Sequence, residues 1–532
     1  MLRKNLYWLL LCLFLAGCGM IDYHPYDVHI SGETNVNAHN MEKIEANCKG
    51  KTKICFAVMG DSQRWYDATE DFVKEINKRD DIDFVIHGGD MSDFGVTKEF
   101  LWQRDIMNGL KVPYVALIGN HDCLGTGEET YKTVFGPTNF SFIAGNVKFV
   151  CLNTNALEYD YSEPIPNFTF MEEEITNRSD EFEKSVVCMH ARPFTGVFND
   201  NVAKVFQHYV TQYKGLQFCT AAHTHHFRDD ILFDDGIHYI TSDCMDYRTY
   251  LVFTIAPEAP LKILIMNWLN TKYILWTGVL SILLSISGPV SATYRTDTII
   301  NTYKADSLRF IIKADSIIAF QTGDSLFTII KADSVLPAAS KKVKHTRYDK
   351  RVHRFRRNWE RIIPTHSKIQ FAGNMGLLSF GTGWDYGKHN QWETDLLLGF
   401  IPKYSSKKAK ITMTLKQNYM PWSINIGKGF STEPLTCGLY MNTVFGDQFW
   451  VNEPDRYPKG YYGFSSKVRF HIFMGQRLTY DIDPQRRFLA KSVTFFYEIS
   501  TCDLYVVSAA TNSYLRPRDY LSLSFGLKFQ WL

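Results

Sequence analysis

Between positions 55 and 226 short apolar runs are each followed at once by a polar cluster. The runs are Cys55 to Met59, Phe84 to Ile86, Tyr114 to Ile118, Val186 to Met189 and Leu216 to Cys219. Their length and unbroken apolarity are those of strands buried on both faces. Asp67 to Arg79 and Thr97 to Met107 carry the spacing of amphipathic helices, so the region is expected to be α/β. Behind the runs stand Gly60-Asp61-Ser62-Gln63, Gly89-Asp90-Met91-Ser92-Asp93, Gly119-Asn120-His121-Asp122, His190 and His223-Thr224-His225-His226. Ligand residues in α/β units gather outside the carboxyl ends of strands, so all five clusters are expected on one rim.

From about Ile369 onward the period changes to two. Ile411, Met413 and Leu415 alternate with Thr412 and Thr414; Val468, Phe470 and Ile472 with Arg469 and His471; Leu521 to Trp531 alternates throughout, with Lys528 on the polar side. Roughly eight such segments are separated by turn-rich stretches such as Glu453 to Gly460. An apolar face against a polar one over about 9 to 11 residues is what a membrane strand needs. The region resembles a small outer-membrane β-barrel, and the resemblance implies an all-β antiparallel barrel over residues 367–532. Trp531 is penultimate rather than last. A soluble barrel or sandwich would bury the same apolar face internally.

The ends and the middle carry export-like features. Met1-Leu2-Arg3-Lys4 is basic, Leu6 to Leu15 is apolar, and Leu15-Ala16-Gly17-Cys18 closes the run. This is the layout of a secretory signal, and it resembles a lipoprotein signal over residues 1–18 that would leave Cys18 lipidated. Residues 19–51 read as a polar tether. Pro257 and Pro260 close the α/β pattern, so that domain is expected over residues 52–260. Residues 266–292 repeat the signal layout around the apolar Tyr273 to Ile286, and a transmembrane helix is the rival reading. Residues 293–340 hold a nine-residue repeat (Lys304-Ala305-Asp306-Ser307, Lys313-Ala314-Asp315-Ser316 and three relatives), read as a spacer. Residues 341–366 are basic, and could bind anionic headgroups or be solvated. Two exported proteins joined near Met266 would explain this order, with the barrel independent of the first domain.

Composition adds limits. A chain of 532 residues has room for several cores, and a net charge of +2 implies no nucleic-acid partner. Aromatics at 15% fit a β-rich or membrane-facing part. Of eleven cysteines, Cys48 and Cys55 could pair after export, whereas Cys151, Cys188 and Cys219 lie in apolar runs and read as buried thiols.

Asp, Asn and His are the residue types that hold two divalent cations at close range, because a shared carboxylate and neutral imidazoles limit the total negative charge. The ordered clusters resemble the calcineurin-like metallophosphoesterases, whose motifs are Asp-x-His, Gly-Asp-x-x-Asp, Gly-Asn-His-Asp/Glu, a lone His and Gly-His-x-His. The match runs from about Lys53 to Ala256 and implies a sandwich of two mixed sheets flanked by helices. It implies two divalent metal ions (Mn, Fe, Zn or similar), with Asp61, Gln63 and His225 on one, Asn120, His190 and His223 on the other, and Asp90 between them. His121 is then the general acid and Asp93 orients it. Gln63 stands where the family has His, which exchanges an imidazole for a carbonyl oxygen and weakens that site. Ala222 replaces Gly, and Phe94 replaces the Arg of the protein Ser/Thr phosphatases. Arg64 and Arg192 could clamp phosphate oxygens or be surface arginines.

The expected function is hydrolysis of a phosphate mono- or diester in a bacterial cell envelope, by a protein anchored in lipid through Cys18 and the barrel, in the outer membrane. A non-catalytic phosphate-binding module is the first alternative, although a binder has no need of His121. A pore or structural barrel with a fused phosphoesterase is the second.

Overall fold

The computed structural model describes residues 20–160, 162–257, 262–267 and 346–532, together with four short backbone stretches between 311 and 336. The signal, Cys18 and the apolar run Tyr273 to Ile286 lie outside the described residues. Among those described, no helix is long and apolar enough to cross a membrane.

The chain divides into two units, residues 1–269 with 364–532, and residues 270–363. Within the first unit, the α/β part is a sandwich of two mixed sheets. One has the order β11-β10-β1-β2-β3, made of Lys262–Asn267, Thr249–Ile255, Ile54–Met59, Phe84–His87 and Tyr114–Ala116. The other has the order β4-β5-β6-β7-β9-β8, made of Phe140–Ala144, Val147–Leu152, Lys184–Met189, Leu216–Ala221, His238–Thr241 and Arg228–Ile231. β1 to β3 are parallel, as are β5, β6, β7 and β9, and β10 runs antiparallel to β1. The parallel strands have wholly apolar runs because both faces are covered. Phe56, Phe84, Phe149 and Phe253 fill the space between the sheets. Helices Tyr66–Ile76 and Thr97–Met107 cover the outer face of the first sheet, and Phe168–Thr176 and Ala203–Val210 that of the second.

The C-terminal part is a closed eight-stranded antiparallel barrel: His366–Ala372 (β16), Leu378–Tyr386 (β17), Trp392–Ile401 (β18), Lys410–Tyr419 (β19), Phe430–Val444 (β21), Val468–Asp481 (β22), Ser492–Cys502 (β23) and Ser522–Gln530 (β24). β16 closes on β24, β19 pairs with β21, and Ile424–Gly427 (β20) extends one hairpin. The period-two pattern sorts as expected, with Leu396, Leu398, Phe400, Ile411, Met413, Phe470 and Ile472 outside and exposed. Lys368, Glu393, Asp395, Lys416, Arg477 and Glu498 are buried inside. There Lys368 bonds Asp395 at 2.6 Å, Arg477 bonds both oxygens of Glu393 at 2.9 Å, and Lys416 pairs with Glu498. A cavity of about 670 Å³ indents the barrel from the end carrying Leu532, with Asp385, Arg477 and Lys528 in its lining.

Three expectations need correction. Residues 19–51 are no tether: Val36–Cys48 is a helix whose Val36, Ile44 and Cys48 are buried, and the stretch before it runs along the mouth of the barrel. Asp22 accepts the Gly373 N–H at 2.9 Å, Tyr23 that of Gly376 at 2.8 Å, and Met20 that of Leu523 at 2.6 Å. Polarity misled because these groups bond to residues more than three hundred positions away. Second, the barrel is not a separate body. Val444, Phe449, Leu504, Tyr505 and Leu515 share one apolar cluster with Tyr26, Phe100 and Trp102. Third, Cys48 and Cys55 are both free and buried.

In the second unit, Arg347–Glu360 is a helix whose Thr346 and Asp349 exchange capping bonds at 3.1 and 2.8 Å. Its Tyr348, Phe355 and Trp359 are exposed. The repeat contributes two short antiparallel pairs, Ile311–Lys313 (β12) with Ser334–Leu336 (β15) and Ile317–Ile318 (β13) with Ile330–Lys331 (β14).

Candidate metal centre

Each candidate ligand stands where a strand has stopped. β1 ends at Met59 before Asp61, β2 at His87 before Asp90, β3 at Ala116 before Asn120, β6 at Met189 before His190, and β7 at Ala221 before His223 and His225. Asp61, Gln63, Asp90, His223 and His225 have φ of 49°, 28°, 56°, 72° and 57°. Side-chain-bearing residues avoid this left-handed region at a cost on the order of 1–3 kcal/mol each, and such strain collects at functional sites. A Cβ on Gly119 would lie 2.1 Å from Asp90 Oδ1, so only glycine lets these two loops meet. Ala222 is accommodated in the same way, its Cβ filling the space that Gly60 and Gly88 leave open.

The side chains form two groups that share Asp90: Asp90 with His190 and His223, and Asp61 with Asp90 and His225. In the first, His190 Nε2 lies 3.3 Å from Asp90 Oδ2 and 3.0 Å from Asn120 Oδ1, and Asn120 Oδ1 lies 2.9 Å from His223 Nδ1. His190 Nδ1 donates to the Gly88 carbonyl at 2.8 Å, which turns Nε2 inward. An imidazole nitrogen, an amide oxygen and a carboxylate therefore converge, a donor set suited to a cation. In the second group Asp61 Oδ1 is 3.5 Å from His225 Nε2, and the Asp61 carboxylate also accepts the His223 N–H at 3.0 Å. The residues present fit two divalent cations.

The electrostatics agree with that fit. Burial lowers the His190 pKa, yet Asp90 and Asp61 outweigh it and raise the value to about 9. Burial pushes His223 down to about 4, with His190 adding to the effect. Asp90 is buried, but His190 and His121 hold its carboxyl well below the usual carboxylate range. This site draws positive charge strongly.

Gln63 is fixed through its backbone, donating its N–H to the Asp90 carbonyl at 2.8 Å and accepting from Gln103 at 3.1 Å. Its carboxamide has no hydrogen-bond partner among the described residues. His121 donates from Nδ1 to the main-chain carbonyl of Asp93 at 2.8 Å, while the nearer Asp93 carboxylate oxygen is 3.7 Å away. Asp93 thus orients His121 through its backbone, because its carboxylate is engaged by Arg64. Burial lowers the His121 pKa, but Asp90 and Asp93 outweigh it and the net shift is upward. Arg64, paired with Asp93 and lying 5.5 Å over the Phe94 ring, is committed rather than free to clamp a phosphate. Arg192 bonds Asp230 at 2.7 Å and the Pro193 carbonyl at 3.3 Å, with no bond to any candidate ligand.

Three sets of residues escaped sequence reading. Asp122 accepts the N–H groups of Ser92 at 2.8 Å and Gly119 at 2.9 Å, and so clips the second and third loops together. Its place beside His121 was the available signal. Buried His87 accepts the Gly89 N–H at 3.2 Å and bonds Ser62 at 2.8 Å, joining the first loop to the second. The third set comes from the barrel: Asn120 Nδ2 donates to Tyr462 at 3.1 Å and to Tyr461 at 3.4 Å. Nothing within one segment announces a contact across more than three hundred residues.

Residues 55–227 match the family model described as calcineurin-like phosphoesterase, which supports a domain of that kind there. Among solved structures, the chain is similar to the calcineurin-like phosphoesterase YfkN of Bacillus subtilis, at 14% identity over 41% of this chain and 91% of that one, with a TM-score of 0.28. It is similar to TT1561 of Thermus thermophilus at 12% identity, over 41% and 99% of the two chains, with a TM-score of 0.29. It is similar also to the phosphopantetheinyl hydrolase of Mycobacterium tuberculosis at 11% identity, over 40% and 96%, with a TM-score of 0.24. Likenesses this distant are not evidence of activity. No curated protein matches the sequence.

Proposed function

We propose that the chain is a metal-dependent hydrolase of phosphate esters, held at a membrane by its barrel. The observation that carries this reading is the pair of donor groups sharing Asp90, with Asn120 completing the first. Asp61, His225 and the Gln63 carboxamide would hold one divalent cation, Asn120, His190 and His223 the other, and Asp90 both. Such cations polarise a phosphoryl oxygen and lower the pKa of water.

The chain's own groups supply the rest. His121 has Nδ1 fixed on a carbonyl, which leaves Nε2 to give its proton to the departing oxygen. Asp93 is itself held by Arg64, so the residue whose carbonyl aims His121 is anchored at both ends. A module that only bound phosphate would gain nothing from this arrangement.

For location, the reading is an outer membrane. In its favour are the exposed apolar exterior of the barrel and its charged interior. Met20, the first described residue, accepts the Leu523 N–H at the start of β24, which ties the N-terminal segment to the barrel wall. The two longest connections, 445–467 and 503–521, lie at the end that carries the α/β domain. Outer-membrane barrels place their longer loops outside the cell, so the domain would face outward.

Full-length protein in detergent with Mn²⁺ should hydrolyse aryl phosphate mono- or diesters, and Asp90→Asn and His223→Ala should each lose both metal and turnover. Full metal content with normal turnover in either variant would overturn the assignment.

A further inference from the structure

The barrel connection 445–467 enters the metal centre. Glu453 shapes its tip by accepting the N–H groups of Tyr462 at 2.5 Å, Gly460 at 2.8 Å and Gly463 at 3.2 Å. The tip docks on the α/β domain through Glu158, whose carboxylate accepts the hydroxyls of Tyr457 and Tyr462, each at 2.7 Å. Phe464 packs edge-on against Phe94 at 4.9 Å, and Tyr462 edge-on against His121, also at 4.9 Å. The tyrosine side chains are anchored aromatic bodies with one polar end each, and the hydroxyls of Tyr462 and Tyr461 converge on one place.

That place is Asn120. The Tyr462 hydroxyl gives its proton to Glu158, so its lone pairs are left to receive Asn120 Nδ2. With its amide nitrogen so occupied, Asn120 must turn Oδ1 toward His190 and His223. A carboxamide has no intrinsic preference between its two ends, and a flipped one would present N–H groups where a cation belongs. We infer that the barrel completes the phosphoesterase site: Tyr462, carried on the 445–467 connection, is a positioning residue that holds Asn120 with its oxygen facing the cation and backs the His121 ring.

This rests on the phosphoesterase reading and goes beyond it, since it makes the barrel part of the catalytic apparatus. Groups that orient a metal ligand are typically worth 10–100-fold in metal affinity or activity. In full-length protein in detergent, Tyr462→Phe should therefore weaken the affinity for Mn²⁺ about 10-fold or more and lower kcat while KM changes little, and excess Mn²⁺ should restore part of kcat. Tyr457→Phe is the control for docking: it removes the other bond to Glu158 and touches no ligand, so its Mn²⁺ affinity and kcat should stay near those of the wild type. Unchanged Mn²⁺ affinity and kcat in Tyr462→Phe would overturn the inference, as would an equal loss in Tyr457→Phe, which would make the connection a mere support. A wild type that neither binds Mn²⁺ nor hydrolyses esters would overturn the phosphoesterase reading itself, and this inference with it.

Discussion

Replacing Tyr505 by alanine should loosen the barrel from the α/β domain. Tyr505 lies in the first turn of the helix Asp503–Thr511 that follows β23 and is almost fully buried. Its ring stands edge-on to Trp102 at 5.8 Å, and Lys98 Nζ lies 5.1 Å over it. Burying an aromatic side chain removes at least ~150 Å² from water, which at ~25 cal/mol/Å² is about 4 kcal/mol. Measured aromatic-to-alanine losses of about 3–5 kcal/mol agree. Lys98 also bonds Asp22 at 2.5 Å and the Asp519 carbonyl at 2.7 Å, so a cavity beside it should loosen the N-terminal segment too. Hydrogen exchange is the assay. A loss of about 4 kcal/mol corresponds to a nearly thousand-fold rise in the opening equilibrium, read at Thr97–Met107 and in the 445–467 connection. Turnover should fall with it, because an undocked connection withdraws Tyr462 from Asn120. If exchange in those two segments stays as in the wild type while the interior of the α/β domain loosens, Tyr505 is an ordinary core residue and the reasoning fails.

His121→Ala should retain metal and lose rate mainly on esters with poor leaving groups; an equal loss on an activated aryl ester would show that His121 does not protonate the leaving oxygen. Glu99 is fully buried, accepts the N–H groups of Phe94 and Val96 at 3.0 and 3.3 Å, and is pushed by burial from 4.5 to about 8. A folded value above the unfolded one gives stability that is whole below about 4.5 and is lost as pH rises through about 8. Melting temperature should therefore fall between pH 6.5 and 8.5, and less steeply in Glu99→Gln; identical slopes would contradict this. Glu393→Ala should strand Arg477, Lys368 and Lys528 inside the barrel at a cost of about 3–5 kcal/mol, seen as a lower temperature for the gel-mobility shift of the folded barrel, and an unchanged temperature would mean that the ion pairs do not hold it.

The two folds were legible because each rests on a local period. Unbroken runs such as Cys55 to Met59 specify strands covered on both faces, and the alternation from Lys410 to Lys416 specifies a wall with two different sides. The candidate ligand clusters were legible for a related reason, since residues such as Asp90 and His190 follow closely on their strands. Long-range polar bonding was not legible. Polar His24 bonds Asn442 at 3.0 Å, and Asp67 accepts the Ser513 and Tyr514 N–H groups at 2.9 and 2.7 Å. Such residues look solvated until the distant partner is in place. Tyr457, Tyr461 and Tyr462, in a stretch rich in Gly and Pro, carried the pattern of a loop and no sign of where the loop goes.

The most direct test counts cations against turnover. Full-length protein in detergent, stripped by a chelator and titrated with Mn²⁺, should bind two ions per chain, with ester hydrolysis returning as they bind and Asp90→Asn losing both. Hydrolysis that survives the chelator, or wild-type protein that takes up no Mn²⁺, would contradict a metal centre built on Asp90.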